Sequence, residues 1–306
     1  MDTQTNNLTR VLQTLGKGTF FETNYQCPAL LSKDIKVKAV FTGVCRSDID
    51  MMTGSFGPLP LNMQGHEGLG KVIEIGNEVE DVKIGDYVAT RGEPAYADIY
   101  TVKEREYVPV PEAHPRYIIE PVACGINLLY SSIQSILQRS GVGKKFLIIG
   151  SGFLAWVAYN YLKYCEYKFK IDVIGSSNKD LWASVIELKS EPSGSYDVVL
   201  DLGSNDLAFN SWVMANNGLL ILGAQKQVTT DFRNLLWKAC TIEFPSPRSR
   251  VFYDCMHEAV FLIQTGKLNV DNFWTKGYNR ETEWQQAFLD GLNRPKNYNR
   301  GYISWV

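Results

Sequence analysis

Residues 8–110 alternate short apolar runs with polar positions. Leu8 to Leu15 and Thr19 to Gln26 form two such runs, parted by Gly16 and Gly18. Ile35 to Val44 (IKVKAVFTGV) has the period of two expected of a half-buried strand. Gly68 to Ile75 and Asp86 to Thr90 repeat it, and EPAYADIYTVKEREYVPVP carries it to Pro111. Many short strands punctuated by Gly and Pro predict a barrel-like β domain.

The pattern changes at Pro121. Val122 to Gln138 has apolar residues at helical spacing. KKFLIIG (144–150) is a compact apolar run of the kind that forms a buried parallel strand. It leads into Gly150-Ser-Gly152-Phe-Leu-Ala155 and a helical stretch to about Cys165. IDVIG (171–175), YDVVLDLG (196–203) and GLLILG (218–223) are further strands, with room for helices between them. This half reads as parallel α/β. A helix from Phe252 to Thr265 ends at Gly266, and the last 40 residues mix short elements up to a strand-like YISWV.

With 306 residues, the chain is long enough for two domains. At 45% hydrophobic and 21% charged residues it should fold throughout. A net charge of −2 gives no reason to expect nucleic acid or an anionic membrane as partner. No apolar run approaches the roughly 20 residues of a membrane span. MDTQTNNLTR has neither the basic start nor the apolar core of a secretory signal. Six scattered cysteines with no CxxC point to reduced thiols and a cytoplasmic protein.

The chemistry concentrates in GVCRSDIDMMTGSFGPLPLNMQGHEGLG, residues 43–70. Cys45 and His66 lie at either side of a turn-rich segment. Arg46, Ser47, Asp48 and Asp50 follow the first, and Glu67 follows the second. Thiol, imidazole and neighbouring carboxylates are the inventory of a metal site with its supporting groups. Taken singly, Cys45 also reads as a buried small hydrophobe and His66 as a structural histidine. Met51, Met52, Phe56 and Leu59 read equally as pocket lining or as core.

GSGFLA matches G-x-G-x-x-G/A between a strand and a helix, the context a dinucleotide site requires. Gly150 allows the tight turn and Gly152 the approach of a pyrophosphate to backbone. Phe153 and Leu154 open the helix, and Ala155 keeps it close to the strand. Asp172 lies within the second strand, too early to accept ribose hydroxyls. Ser176, Ser177 and Lys179 follow that strand's end and suit a 2′-phosphate, which favours NADP over NAD.

The order of these motifs resembles the medium-chain dehydrogenase/reductase superfamily, the zinc-dependent alcohol and polyol dehydrogenases. GHEGLGKVIEIGNEVEDVKIGDYVA and GVCRSDID carry the resemblance, with EPVACGINLL and GSGFLA after them. It implies a GroES-like β-barrel catalytic domain (1–123 and 247–306) and a Rossmann doubly wound parallel sheet (124–246), with the active site in the cleft between them. It implies Cys45 and His66 as ligands of one catalytic zinc, with Glu120 as the third ligand and Glu67 as a supporting carboxylate that can approach the metal and take that place. Glu120 reads alternatively as a cap of the helix that begins near Pro121, and Cys124, one turn later, is a rival ligand that reads better as core. Ser47 stands where the family uses a hydroxyl to relay a proton, with Asp48 as support and Asp50 as a further relay. Arg46 stands where some members contact the pyrophosphate. The implied substrate is a small-molecule alcohol, polyol or carbonyl compound, and the implied assembly a dimer or tetramer of identical chains.

Two departures stand out. The cysteine-rich lobe that holds structural zinc is missing, since GDYVATRGEPAYADIYTV runs straight through. The nucleotide domain is shortened, with an outer strand expected to be lost between IDVIG and YDVVLDLG. A zinc-independent enone or quinone reductase and a non-catalytic NADP-binding sensor are the alternatives.

Overall fold

The computed structural model describes residues 8–58, 64–210, 212–226 and 229–306; Leu59 lies outside them. It divides into two compact units, Met1–Pro121 with Met256–Val306, and Val122–Cys255. No helix among the described residues is long and apolar enough to cross a membrane.

The first unit begins with an antiparallel hairpin of β1 (Leu8–Thr14) and β2 (Phe20–Gln26). A seven-stranded mixed sheet follows, built on β3 (Ile35–Gly43). β3 pairs antiparallel with β4 (Gly68–Ile75), which pairs with β5 (Tyr87–Thr90). β6 (Ile99–Val102) pairs with β3, and β7 (Tyr107–Val110) with β5. Alternating burial along β3 follows its alternating sequence and places Ile35, Val37 and Ala39 in a core with Val72, Val88 and Tyr100.

Between β3 and β4 stands a helix where the sequence suggested turns: α1 (Arg46–Thr53). Two local devices make it. Cys45 and Asp48 form a reciprocal capping box at its start, and Gly54, at φ 81°, closes its end. Ile49 and Met52 face a core with Leu12, Phe20, Val44 and Tyr96, so Met52 fills core.

The second unit holds most of α2 (Glu120–Tyr130) and α3 (Ile133–Leu137). The sequence pattern suggested one helix here. The break falls at Ser131 and Ser132, where the Ser131 hydroxyl bonds back to Asn127 Oδ1 at 2.7 Å. Such local side-chain bonds compete with a continuous helix. β8 (Lys145–Ile149), α4 (Phe153–Tyr164), β9 (Lys170–Ile174), α5 (Lys179–Ala183), β10 (Tyr196–Asp201), β11 (Met214–Leu222), α6 (Arg233–Trp237) and β12 (Thr241–Glu243) follow. The five strands are parallel, in the order β12-β11-β10-β8-β9. That is the doubly wound order without the strand expected outside β9. In its place Lys189 makes a single parallel bridge to Ile174.

α7 (Phe252–Gln264) runs from the second unit into the first. β13 (Trp274–Asn279), α8 (Trp284–Asn293) and β14 (Arg300–Ser304) then complete the large sheet, with β14 alongside β3.

Candidate active site

Strand register assembles the first cluster. Thr42 of β3 stands opposite Gly68 of β4. Cys45, three residues on, and His66, two residues back, therefore leave the same end of one antiparallel pair. The Gly43 amide donates to the Glu67 carbonyl at 2.9 Å, and β14 brings Tyr302 opposite Gly43. A side chain at Gly43 would collide with the Glu67 carboxylate, so glycine makes the room that Glu67 occupies.

One metal-ligating atom from each of Cys45, His66 and Glu67 lies within 4.8 Å of the others, the cluster of this kind found among the described residues. Around it the partners are specific. Asp48 is fully buried; its Oδ2 accepts from the Cys45 amide at 2.8 Å and from the Tyr96 hydroxyl at 2.8 Å. Its other oxygen has no hydrogen-bond partner and faces His66 Nδ1 at 3.7 Å. Arg300 pairs with the fully buried Glu67 carboxylate and lies over the Trp274 ring, 5.0 Å from its centroid.

The protonation equilibria follow from this crowding. Burial pushes the Cys45 thiol up, with help from the Glu67 charge, against an opposing hydrogen bond with His66. Burial alone would lower His66, but the Asp48 charge and the bond with Cys45 hold it well above the usual imidazole range. Burial raises Asp48 above the ordinary carboxylate range. Burial opposes the charge on Arg300, yet the Glu67 carboxylate raises it further.

A thiol, an imidazole and a carboxylate gathered at one point fit a divalent zinc ion in kind and number. The orphaned oxygen of Asp48 beside His66 fits as well, since a ligating histidine commonly has its other nitrogen set by a carboxylate. Glu120, in the first turn of α2, is 4% exposed, and its charge contributes to raising both His66 and Arg300. It lies outside the 4.8 Å gathering of the other three. Ser47 is half-buried in the first turn of α1. Arg46 and Asp50 are paired with each other, Nε to Oδ1 at 3.0 Å.

The second candidate site is the turn after β8. Gly150 sits at φ 120°, which a side chain rarely adopts. Gly152 caps α4, and a Cβ built on it meets no heavy atom within 4 Å. That open side is the approach a pyrophosphate needs, so the turn fits a dinucleotide. Phe153 and Ala155 are buried and Leu154 half-buried. The Ser177 amide donates to Ser151 Oγ at 3.0 Å, which ties the turn to the segment after β9. Ser176, Ser177 and Lys179 are all exposed there. Asp172 is in β9, held by Lys189 at 2.7 Å and the Tyr196 hydroxyl at 2.8 Å.

Three site residues escape sequence reasoning. Tyr96 and Arg300 reach the cluster from 48 and 233 positions away from their partners, with no local motif to mark them. Trp182 donates its indole N–H to the Ser151 carbonyl at 3.0 Å, and nothing in its neighbours announces it.

Residues 32–112 match the alcohol dehydrogenase GroES-like domain. D-arabitol-phosphate dehydrogenase of Enterococcus avium is 25% identical over 85% of this chain and 87% of its own. L-threonine 3-dehydrogenase of Thermococcus kodakarensis is 22% identical over 83% of this chain and 87% of its own. An Escherichia coli oxidoreductase/dehydrogenase of unknown specificity superposes with a TM-score of 0.78 at 18% identity, over 97% of this chain and 99% of its own. Over most of its length the chain is similar to medium-chain dehydrogenases, and residues 32–112 carry their GroES-like domain. Its dehydrogenase relatives support an oxidoreductase.

Proposed function

We propose that this protein is a zinc-dependent oxidoreductase that transfers a hydride between an alcohol or polyol, or the corresponding aldehyde or ketone, and NADP(H). The observation that carries the reading is the convergence of Cys45, His66 and Glu67 on one point, with Asp48 behind His66. Zinc would be held by Cys45 and His66, with Glu67 or Glu120 as the third ligand. When bound, it would supply a Lewis acid, and the coenzyme a hydride acceptor or donor.

The chain's own residues would do the rest. Asp48 orients the His66 ring. Arg300 offsets the charge of Glu67. Ser47 is a hydroxyl that can accept a proton and pass one on, as a relay to the substrate oxygen requires. Asp50 would take up that proton, with Arg46 beside it to steady the carboxylate or to reach a pyrophosphate. Gly150, Gly152 and the start of α4 would hold the pyrophosphate, with Phe153, Leu154 and Ala155 setting the helix. Ser176, Ser177 and Lys179 would receive a 2′-phosphate.

The wild-type protein is expected to carry about one zinc per chain, and Cys45→Ser to lose both the metal and turnover. Elemental analysis beside an assay panel of alcohols, polyols and carbonyl compounds tests this. A zinc-free wild type that reduces enones would sink the reading. Kinetics with NADPH against NADH test the coenzyme preference, and Lys179→Glu should weaken NADPH more than NADH. A binding protein without turnover is the second reading, favoured by the missing outer strand of the nucleotide sheet. Coenzyme binding with no activity across the panel would select it.

A further inference from the structure

We infer that Trp182 and Asn178 are coenzyme-positioning residues, which act by clamping the Ser151–Gly152 peptide of the glycine-rich turn. The inference rests on the dinucleotide reading of that turn.

The Ser151 carbonyl accepts two hydrogen bonds, from Trp182 Nε1 at 3.0 Å and from Asn178 Nδ2 at 3.1 Å. A peptide unit is planar and trans, so its C=O and N–H point in opposite directions. Two donors that fix the Ser151 carbonyl therefore also fix the Gly152 N–H. They aim it away from the 178–182 segment. Gly152 is the residue whose missing side chain leaves open space, and it caps the twelve-residue helix α4. The clamp thus presents a backbone donor at the place where a pyrophosphate oxygen would need one.

Both donors are themselves held. Trp182 is fully buried and stands edge-to-face against Trp156, at 5.2 Å, and Tyr159, at 5.4 Å, both from α4. The indole thus spans the turn and the helix it opens. Asn178 adopts φ 56°, ψ 33°, a left-handed conformation that asparagine tolerates better than most residues. The segment lies where the sheet has lost its outer strand, and among the described residues β9 has on that side the bridge at Lys189. In this chain the order of the turn comes from side chains of a shortened connection. Donors fixed before the ligand arrives lower the cost of ordering on binding.

The test uses the full-length chain in three forms: wild type, Trp182→Phe and Asn178→Gly. Phenylalanine keeps the aromatic packing and removes the N–H; glycine keeps the left-handed backbone and removes the amide. NADPH and NADH are titrated by the change in nicotinamide fluorescence. Adenosine, which has no pyrophosphate, is competed against whichever coenzyme binds more tightly. Each variant should weaken that coenzyme by about threefold to tenfold, the range of one hydrogen bond, and leave adenosine unchanged. Should Trp182→Phe fail to fold, Asn178→Gly, at a partly exposed position, decides through NADH, which has the pyrophosphate but not the 2′-phosphate assigned to the neighbouring Ser177 and Lys179. Unchanged coenzyme binding, or an equal loss for adenosine, overturns the clamp while the dinucleotide reading stands. A wild type that binds neither NADPH nor NADH overturns both.

Discussion

Asp48 holds three partners with two oxygens. It caps α1 through the Cys45 amide, takes the Tyr96 hydroxyl, and sets its second oxygen toward His66. The consequence is that the metal-free cluster grips its protons. The Cys45 thiol and the His66 ring are both raised, the first chiefly by burial, the second by Asp48 and Cys45 in spite of burial. Zinc needs the thiolate and the neutral imidazole, so both protons must leave on binding. Affinity should therefore rise with pH, by about tenfold per unit for each proton displaced and about a hundredfold where both are. Competition with a chromophoric chelator at pH 6, 7 and 8 measures the slope, and a flat profile would contradict it. Cys45, His66, Glu67 and Asp48 were legible in the sequence because they sit in two short motifs with recognisable neighbours. Arg300 and Tyr96 were not, because only the pairing of β14 with β3, and the close approach of Tyr96 to β3, bring them there.

At the scale of elements, α1 shows what periodicity misses. Its eight residues span about two turns, and polar groups occupy five of them, so no apolar stripe emerges. Its signals are its caps, and the capping thiol is an unusual one. Gly54 is the other end of that definition. At φ 81°, a Cβ there is strained, and it would also approach the Gly16 carbonyl oxygen at 2.9 Å. Gly54→Ala should therefore destabilise the protein by about 1–3 kcal/mol, read as a shift in urea midpoint at unchanged slope. A substitution that left the midpoint in place would mean the helix end relaxes freely. β3, β8 and α4 announce themselves because one or both faces are buried along most of their length. β12, three residues long, offers too few positions for any period to register.

For the whole molecule, the informative departure is the nucleotide sheet that stops at β9. The sequence showed it as spacing: 20 residues lie between IDVIG and YDVVLDLG. What spacing did not show is how the exposed side of β9 is closed. Asp172 does this from within the strand. It receives Lys189, the Tyr196 hydroxyl and, at 3.1 Å, the Ser193 hydroxyl, so the returning chain is fastened to β9 by one carboxylate. Burial by itself would raise Asp172, but the bonds from Lys189, Tyr196 and Ser193 outweigh it and hold it below the ordinary value. A carboxylate depressed in the folded state adds stability above its unfolded pKa, near 4, and that contribution fades as pH falls through the depressed value. Asp172→Asn removes the ionisable group while keeping an acceptor of similar shape. The wild type should be the more stable by a constant margin from about pH 8 to pH 5, with the margin shrinking below about pH 4. Urea midpoints for the two proteins at pH 7, 5, 4 and 3 give the comparison. Curves that stay parallel into acid would mean that Asp172 is not what fastens the connection, and that the bridge at Lys189 and the burial of Tyr196 hold the edge without it.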